Sequence, residues 1–150
     1  MKDIFDPNTA IYFKNRIAQL NEESIPKWGK MNVVQMLYHC DRATKMACGD
    51  LKIKRVFIGR IIGKSFLKKI TKDETPFGKN SPTAKELVLV DKSEFIKEKQ
   101  ALQTRIDEIT AKNESDLDGI VHPFFGKMTG KEWNILVFKH LDHHLRQFGV

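Results

Sequence analysis

Five histidines occur in this chain of 150 residues, and two of them have the spacing of a metal-binding pair. His140 and His144 are four residues apart in a stretch with helical periodicity, so their rings stack about one turn apart on the same face. On a helical wheel both fall within about 60° of Trp133 and Val137, which mark the core-facing side. An i, i+4 pair of imidazoles on that side can chelate a single divalent ion.

His39 could supply a third imidazole from another helix. Its helical wheel groups it with Met36 and Ala43, towards the core. Asp41 and Lys45 fall on the opposite side. Neutral imidazole binds zinc, nickel or ferrous iron, and three histidines leave a position open for water or substrate. A hydrogen-bonded core histidine is the commoner alternative for a single inward-facing ring, and it stays open for His39.

The other two histidines have less specific surroundings. His143 falls at the border of the core-facing side. This favours a position on the surface, and the alternative is that its ring hydrogen-bonds to a metal-binding histidine. His122 precedes Pro123 and is predicted to fix the turn into the last helix, with lining of a site mouth as the alternative. No H-E-x-x-H zincin motif is present, since Leu141 follows His140, and P-loop, dinucleotide-binding and nucleophile-elbow motifs are absent.

Four long helices are predicted to position these side chains. An aspartate followed by proline begins the first, and capping boxes begin the second and the last. The third is predicted to begin where Asp91 is followed by Glu94. The only strand-like run is Leu87 to Val90, and one short run cannot form a sheet. The helices are expected at residues 7–20, from 32 to 46 or 48, at 91–111 and at 129–148.

These elements predict an all-α fold, a four-helix bundle with a long crossover between helices 2 and 3, in a single domain over residues 1–150. A chain of this length removes roughly 70% of its unfolded surface from water on folding, so it needs no metal merely to fold. A metal site would therefore serve a function.

The compartment is predicted from cysteines and hydropathy. Cys40 and Cys48 lie about 12 Å apart along one predicted helix and cannot pair there. Unpaired cysteines suit a reducing compartment. No apolar stretch approaches the ~20 residues of a membrane span, and the N-terminus has no apolar signal region. We therefore expect no membrane span and a cytoplasmic location.

A basic segment, residues 51–72, contains eight lysines and arginines and no acid, in a chain with a net charge of +7. The rest of the chain has 18 basic and 19 acidic residues. The segment is predicted to form an amphipathic helix interrupted by Gly59 and Gly63. The favoured interpretation is a crossover helix packed on the bundle, with its charged heads in water. Binding to an anionic membrane surface or to nucleic acid is the alternative, and a nucleic-acid partner is not expected.

Two stretches resemble the DinB-like superfamily, in a branch without an assigned function. They are WGKMNVVQMLYHC near the second helix and HPFFGKMTGKEWNILVFKHLDHHLRQFGV at the C-terminus. The resemblance covers nearly the whole chain and implies a four-helix bundle. It also implies a metal held by one histidine of the second helix and an H-x-x-x-H pair of the last, at positions that match His39, His140 and His144.

The resemblance implies a metal-dependent activity as well. Characterised DinB-like proteins include enzymes that act with low-molecular-weight thiols. The expected function is therefore a metal-dependent thiol or small-group transferase with a small-molecule substrate. Zinc or nickel is the favoured ion, with iron or manganese as alternatives, and bundles of this kind often form homodimers. A non-enzymatic metal-binding or stress-response bundle is the competing hypothesis.

Overall fold

A computed structural model of the chain describes residues 3–89 and 92–150. Within these residues the protein is mostly helical, with five α-helices, two short 3₁₀ helices and one two-stranded antiparallel hairpin. The α-helices are α1 (Pro7–Ala18), α2 (Val33–Ala47), α3 (Phe57–Thr71), α4 (Phe95–Thr110) and α5 (Gly130–Gln147). The 3₁₀ helices are Lys85–Leu87 and Glu114–Leu117, and the strands are β1 (Val121–His122) and β2 (Gly126–Lys127).

Three helices begin where their capping residues predict. The Asp6 side chain accepts a hydrogen bond from the backbone N–H of Asn8 at 2.8 Å and begins α1. Asn32 and Thr129 each form a complete capping box, at the starts of α2 and α5. These side chains satisfy backbone N–H groups that have no partner within the helix, which confirms the three predicted helix starts.

The chain between α3 and α5 differs more from the sequence prediction. The start of α4 predicted at Asp91 lies outside the described residues, and the helix begins at Phe95 after Glu94, whose side chain makes no cap hydrogen bond. The predicted strand-like run is wrong at Leu87, which ends a 3₁₀ helix, while Val90 also lies outside the described residues. The hairpin was not predicted, because strands of two residues are too short to show a period-two pattern.

The core lies between α1, α2, α4 and α5. α2 packs along α4, α1 packs against α4, and α5 contacts α2, α3 and α1. Trp133, Phe13, Met36, Leu102 and Ile106 are among the fully buried side chains. Because α2 and α5 are neighbours, residues on their facing sides lie close together.

α3 packs on the rest of the protein through its small residues, which corrects the sequence interpretation. Gly59 and Gly63 lie so close to the backbone of Phe124 that a Cβ atom at either position would overlap its carbonyl oxygen. Leu67 is buried beside them. Four of the large apolar residues predicted to pack on the bundle, Phe57, Ile61, Ile62 and Phe66, are instead exposed, Phe57 at 76%, while Ile70 is half-buried against the core. The protein contacts a narrow strip of α3 and leaves a broad apolar face in water.

The expectation that no segment spans a membrane was tested on the helices. None of those in residues 3–89 and 92–150 has both the length and the apolar character that a membrane crossing requires.

Candidate metal centre

α2 and α5 bring three histidines together in the structure. The ring centroids are separated by 4.8 Å between His39 and His140, 4.7 Å between His39 and His144, and 4.6 Å between His140 and His144. The Nε2 atoms of His39 and His140 are 2.9 Å apart. One nitrogen from each ring lies within 4.8 Å of the others. The three sequence candidates therefore form one cluster.

Hydrogen bonds on the far side of the rings fix the orientation of two of them. The Nδ1 atom of His39 lies 3.2 Å from the carbonyl oxygen of Leu87, and that of His144 lies 2.8 Å from Oε1 of Gln147. Because both oxygens can only accept, each neutral ring carries its hydrogen on Nδ1 and keeps the Nε2 lone pair for a ligand. Metal-binding histidines commonly donate their second N–H to such a partner.

Gln147 is itself held by the turn before α2. Its Nε2 atom donates to the carbonyl oxygen of Trp28 at 2.7 Å, so its Oε1 atom is left facing His144. Gly29 makes this approach possible, since a Cβ atom there would lie 2.5 Å from Nε2 of Gln147. Its φ of +82° is also unfavourable for residues with a side chain. The turn and the C-terminus of α5 therefore position His144 together.

Burial keeps the clustered rings uncharged. His39 and His144 are only 3% and 7% exposed. Burial lowers the pKa of His39 to about 4 and that of His144 to about 3. The pKa of His140 is also well below its usual value, first because of burial and then because of the neighbouring histidines. Neutral imidazole is the form that binds a metal, so the cluster is in its ligating state at neutral pH.

The nitrogen spacing fits a single divalent ion. Two nitrogens bound to one tetrahedral zinc are about 3.4 Å apart. The Nε2 atoms of His39 and His140 are 2.9 Å apart, and the three donor atoms lie within 4.8 Å of one another, so the cluster has the dimensions of that spacing. In the part of the chain that the structure describes, this is the one group of three or more histidine, cysteine or acidic side chains close enough to hold an ion.

His143 lies beside the cluster and contacts it through ring packing. Its ring centroid is 5.1 Å from that of His144, 5.7 Å from Trp28 and 5.9 Å from Phe77. The Nζ atom of Lys79 lies 4.6 Å from the centroid of Trp28. The sequence favoured a surface position for His143, whereas its ring is half-buried between His144 and these aromatic side chains.

His122 lies in the hairpin that precedes α5. Its Nδ1 atom accepts hydrogen bonds from the backbone N–H groups of Phe124 and Phe125, at 3.0 and 3.2 Å. Burial, followed by the charge of Arg55, lowers the pKa of His122 to about 3. An unprotonated Nδ1 is required to accept both bonds. The ring therefore holds the turn between β1 and β2, within the hairpin, whereas the sequence predicted that it would fix the turn into the last helix.

The two cysteines take no part in the cluster. Cys40 is buried, with its Sγ atom 3.8 Å from Sδ of Met36. Burial raises the pKa of the Cys40 thiol far above its ordinary value and that of the Cys48 thiol to about 11. Both thiols are therefore protonated at neutral pH.

Sequence reasoning named the three clustered histidines but not the residues that orient them. A signal for Gln147 was present, since it lies three residues after His144 on the same helix. No sequence signal exists for the Leu87 contact, because a backbone carbonyl is the same at every residue.

A family model described as a protein of unknown function (DUF1569) matches residues 8–149. No curated protein and no solved structure matches the chain. The matched range extends from α1 to the end of α5 and contains all three clustered histidines.

Proposed function

Since this chain belongs to the DUF1569 family of proteins of unknown function, we propose from the site itself that it is a metal-dependent protein whose divalent ion is held by His39, His140 and His144. The observation that carries the proposal is the convergence of three neutral imidazoles, two of them with their outer nitrogens already hydrogen-bonded. The hydrogen bonds to Leu87 and Gln147 occupy the outer nitrogens of His39 and His144 and leave their inner nitrogens for a ligand.

The proposal extends to the fold. The protein is a DinB-like four-helix bundle of α1, α2, α4 and α5, with α3 in the long crossover between the second and third bundle helices. Contacts of α2 with α4 and α5, and of α1 with the same two helices, support this arrangement. Bundles of this kind place metal ligands on facing helices.

Zinc or nickel is the ion proposed for this site. Imidazole suits both metals, and the described residues place no carboxylate in the cluster of the kind that would favour magnesium or calcium. Three protein ligands leave a position for water or substrate. A bound divalent ion there supplies Lewis acidity and lowers the pKa of water or of a thiol that it binds. The chain itself orients the ligands through Leu87 and Gln147.

The reaction class that we propose is transfer to or from a low-molecular-weight thiol. The sulfur of such a thiol forms a bond to an electrophilic carbon, the leaving group departs with its electron pair, and the thiol proton passes to solvent. Both cysteines of the chain are protonated and lie outside the cluster, so the thiol has to come with the substrate. Trp28 and Phe77 pack on the ring of His143, which in turn packs on His144, so these aromatic side chains are candidates for contacting the substrate.

Metal content tests the site directly. The protein is purified without a histidine tag or a nickel column, and its metal is measured by mass spectrometry. Wild type and His143→Ala are expected to carry one equivalent of zinc or nickel, whereas His140→Ala/His144→Ala carries none. His143→Ala is the matched control because this residue is on the same helix and packs on the cluster. Equal metal content in the double variant and wild type would show that the site is wrong.

A structural or regulatory ion is the competing function, favoured by the deep burial of His39 and His144. The metal-loaded protein is screened with small thiols and electrophiles, and His39→Ala is expected to abolish turnover. The metal is then removed with a chelator, and the Tm of the metal-free protein is compared with that of the metal-loaded protein. Absence of turnover, together with a large fall in Tm on removal of the metal, would assign the ion a structural role and exclude the transferase.

A further inference from the structure

α3 and the residue before it carry the largest concentration of exposed apolar side chains in the described residues. Those residues expose eleven large apolar side chains, of which one is Val56, at the N-cap of α3, and five lie in α3 between Phe57 and Phe66. The exposure reaches 76% for Phe57 and 66% for Ile61. Single exposed apolar residues are ordinary, but a contiguous group marks a binding surface.

These side chains point away from the protein. Gly59, Gly63 and Leu67 form the buried strip of α3. Four exposed apolar residues of the first two turns fall on the opposite side, within an arc of about 140° on the helical wheel. We call this the outer face of α3; it consists of Phe57, Ile58, Ile61 and Ile62.

Positive charge lies along one edge of the outer face and beyond its C-terminal end. Lys68 and Lys69 lie on the same side of α3 in its following turns, and Arg60 and Lys64 flank it. Lys64 also donates to the carbonyl oxygen of Lys127 and lies 4.0 Å from Glu132, an acid on α5. The basic segment itself has no acidic residue, and seven of its eight cations are exposed: Lys52, Lys54, Arg60, Lys64, Lys68, Lys69 and Lys72.

We propose that the outer face of α3 docks on an anionic lipid surface. Apolar side chains that insert at the headgroup boundary, combined with lysines that contact lipid phosphates, are the pattern of interfacial helices. Such docking requires no membrane-crossing helix. α3 is already folded on the protein, with the Lys139 side chain donating to the carbonyl oxygen of Ile70 at 2.6 Å, so binding need not order it.

Charge favours this occupant over the alternatives. A two-fold dimer through α3 would place the same cationic surface on both sides of the interface, where like charges repel. Nucleic acid would satisfy the cations but leave the outer face in water. An anionic bilayer satisfies both the charged and the apolar groups.

Vesicle flotation tests the proposal with the full chain. Wild type is mixed with vesicles of phosphatidylcholine alone or with about 30% phosphatidylglycerol, at about 0.05 and 0.5 M salt. It is expected to bind only the anionic vesicles, and at least about tenfold more weakly at the higher salt. The histidine cluster is not needed for this binding, so the test is independent of the proposed metal function.

Two pairs of variants separate the apolar from the charged contribution. Phe57→Ser/Ile61→Ser is expected to weaken vesicle binding at least about tenfold, whereas Ile11→Ser/Ile96→Ser, at sites that are 57% and 55% exposed, binds like wild type. Lys68→Glu/Lys69→Glu is expected to weaken binding about 25-fold or more, because each lysine contributes about fivefold. Lys30→Glu/Lys97→Glu makes the same change in net charge outside the basic segment and is expected to weaken binding less than Lys68→Glu/Lys69→Glu does.

The other occupants give different results. A wild-type dimer that Phe57→Ser/Ile61→Ser converts to monomer, without vesicle binding, would overturn the proposal in favour of a second copy. DNA binding that depends on Lys68 and Lys69 but not on Phe57 and Ile61 would overturn it in favour of a polyanion. Absence of binding to anionic vesicles at low salt overturns it outright.

Discussion

Replacing Gln147 with Leu is expected to weaken metal binding even though this side chain is not a proposed ligand. Gln147 is 3% exposed and links His144 to the backbone of Trp28, through hydrogen bonds of 2.8 and 2.7 Å. Leucine has a similar volume but can make neither bond. The Nδ1–H group of His144 then loses its acceptor, and the ring can rotate or change tautomer.

The expected magnitudes follow from these two bonds. Loss of a partner behind a metal ligand typically costs 10- to 100-fold in affinity, or roughly 1.4–2.7 kcal/mol. In the metal-free protein, the buried N–H of His144 and the part-buried carbonyl of Trp28 lose their partners. The loss at His144 costs roughly 1–3 kcal/mol of unfolding free energy, and the loss at the less buried carbonyl adds a smaller amount. Both affinity and stability are therefore expected to fall in Gln147→Leu.

Gln147→Glu separates the two effects. The introduced carboxylate can still accept from Nδ1 of His144, and its charge strengthens that bond. It cannot donate to the carbonyl of Trp28. The Glu variant is therefore expected to keep wild-type metal affinity or exceed it, while its metal-free form is destabilised.

Competition with a chromophoric zinc chelator measures the affinities of the three proteins, and urea unfolding of the metal-free forms measures their stability. If Leu and Glu variants bind zinc with the same affinity, Gln147 does not orient His144, and the reasoning is refuted. Unchanged affinity in Gln147→Leu would have the same consequence.

Three further changes test other parts of the structure. Gly29→Ala is expected to displace Gln147 and lower zinc affinity in the same competition assay, because a Cβ atom would lie 2.5 Å from its Nε2 atom. His122→Asn is expected to flatten the dependence of urea unfolding on pH. The folded-state pKa of His122 is about 3, against about 6.5 unfolded, so as pH falls below 6.5 the unfolded state alone gains a proton. Protonation of His122 in the unfolded state lowers the free energy of unfolding by about 2 kcal/mol at pH 5, and the full effect is reached only below pH 3. Gly63→Ala is expected to lower Tm, because its Cβ atom overlaps the hairpin backbone.

Each of these changes has a control or a contradicting result. Gly78→Ala has open space around the added methyl group and should bind zinc normally. Asparagine at position 122 keeps an acceptor for the turn but does not titrate, so an unaltered pH dependence would show that His122 is not held neutral by the fold. An unchanged Tm in Gly63→Ala would contradict the close approach of α3 to the hairpin.

Local sequence determined the helix starts and the orientation of the histidines. Asp6, Asn32 and Thr129 cap helices within three residues of themselves, so their effect needs no distant partner. Helical periodicity likewise turned His140 and His144 to the core side of α5. These properties depend on neighbours in the chain, and the sequence displays those neighbours.

Tertiary structure decided what each of these faces meets. The helical wheel of α2 turned His39 inward but did not show that the ring would reach His140, because the wheel describes one helix and not the helix opposite. The hydrogen bond between His39 and the carbonyl of Leu87 joins residues that are 48 positions apart. The bond from Gln147 to Trp28 joins residues that are 119 positions apart.

The buried face of α3 was also decided by tertiary structure. Its hydrophobic pattern predicted an apolar face packed on the bundle, yet packing against the hairpin required the closest backbone approach, and only Gly59 and Gly63 permit it. The glycine strip therefore turned inward, and Phe57 and Ile61 turned outward. Sequence periodicity established that α3 has two faces, but which face was buried depended on the shape of the surface it met.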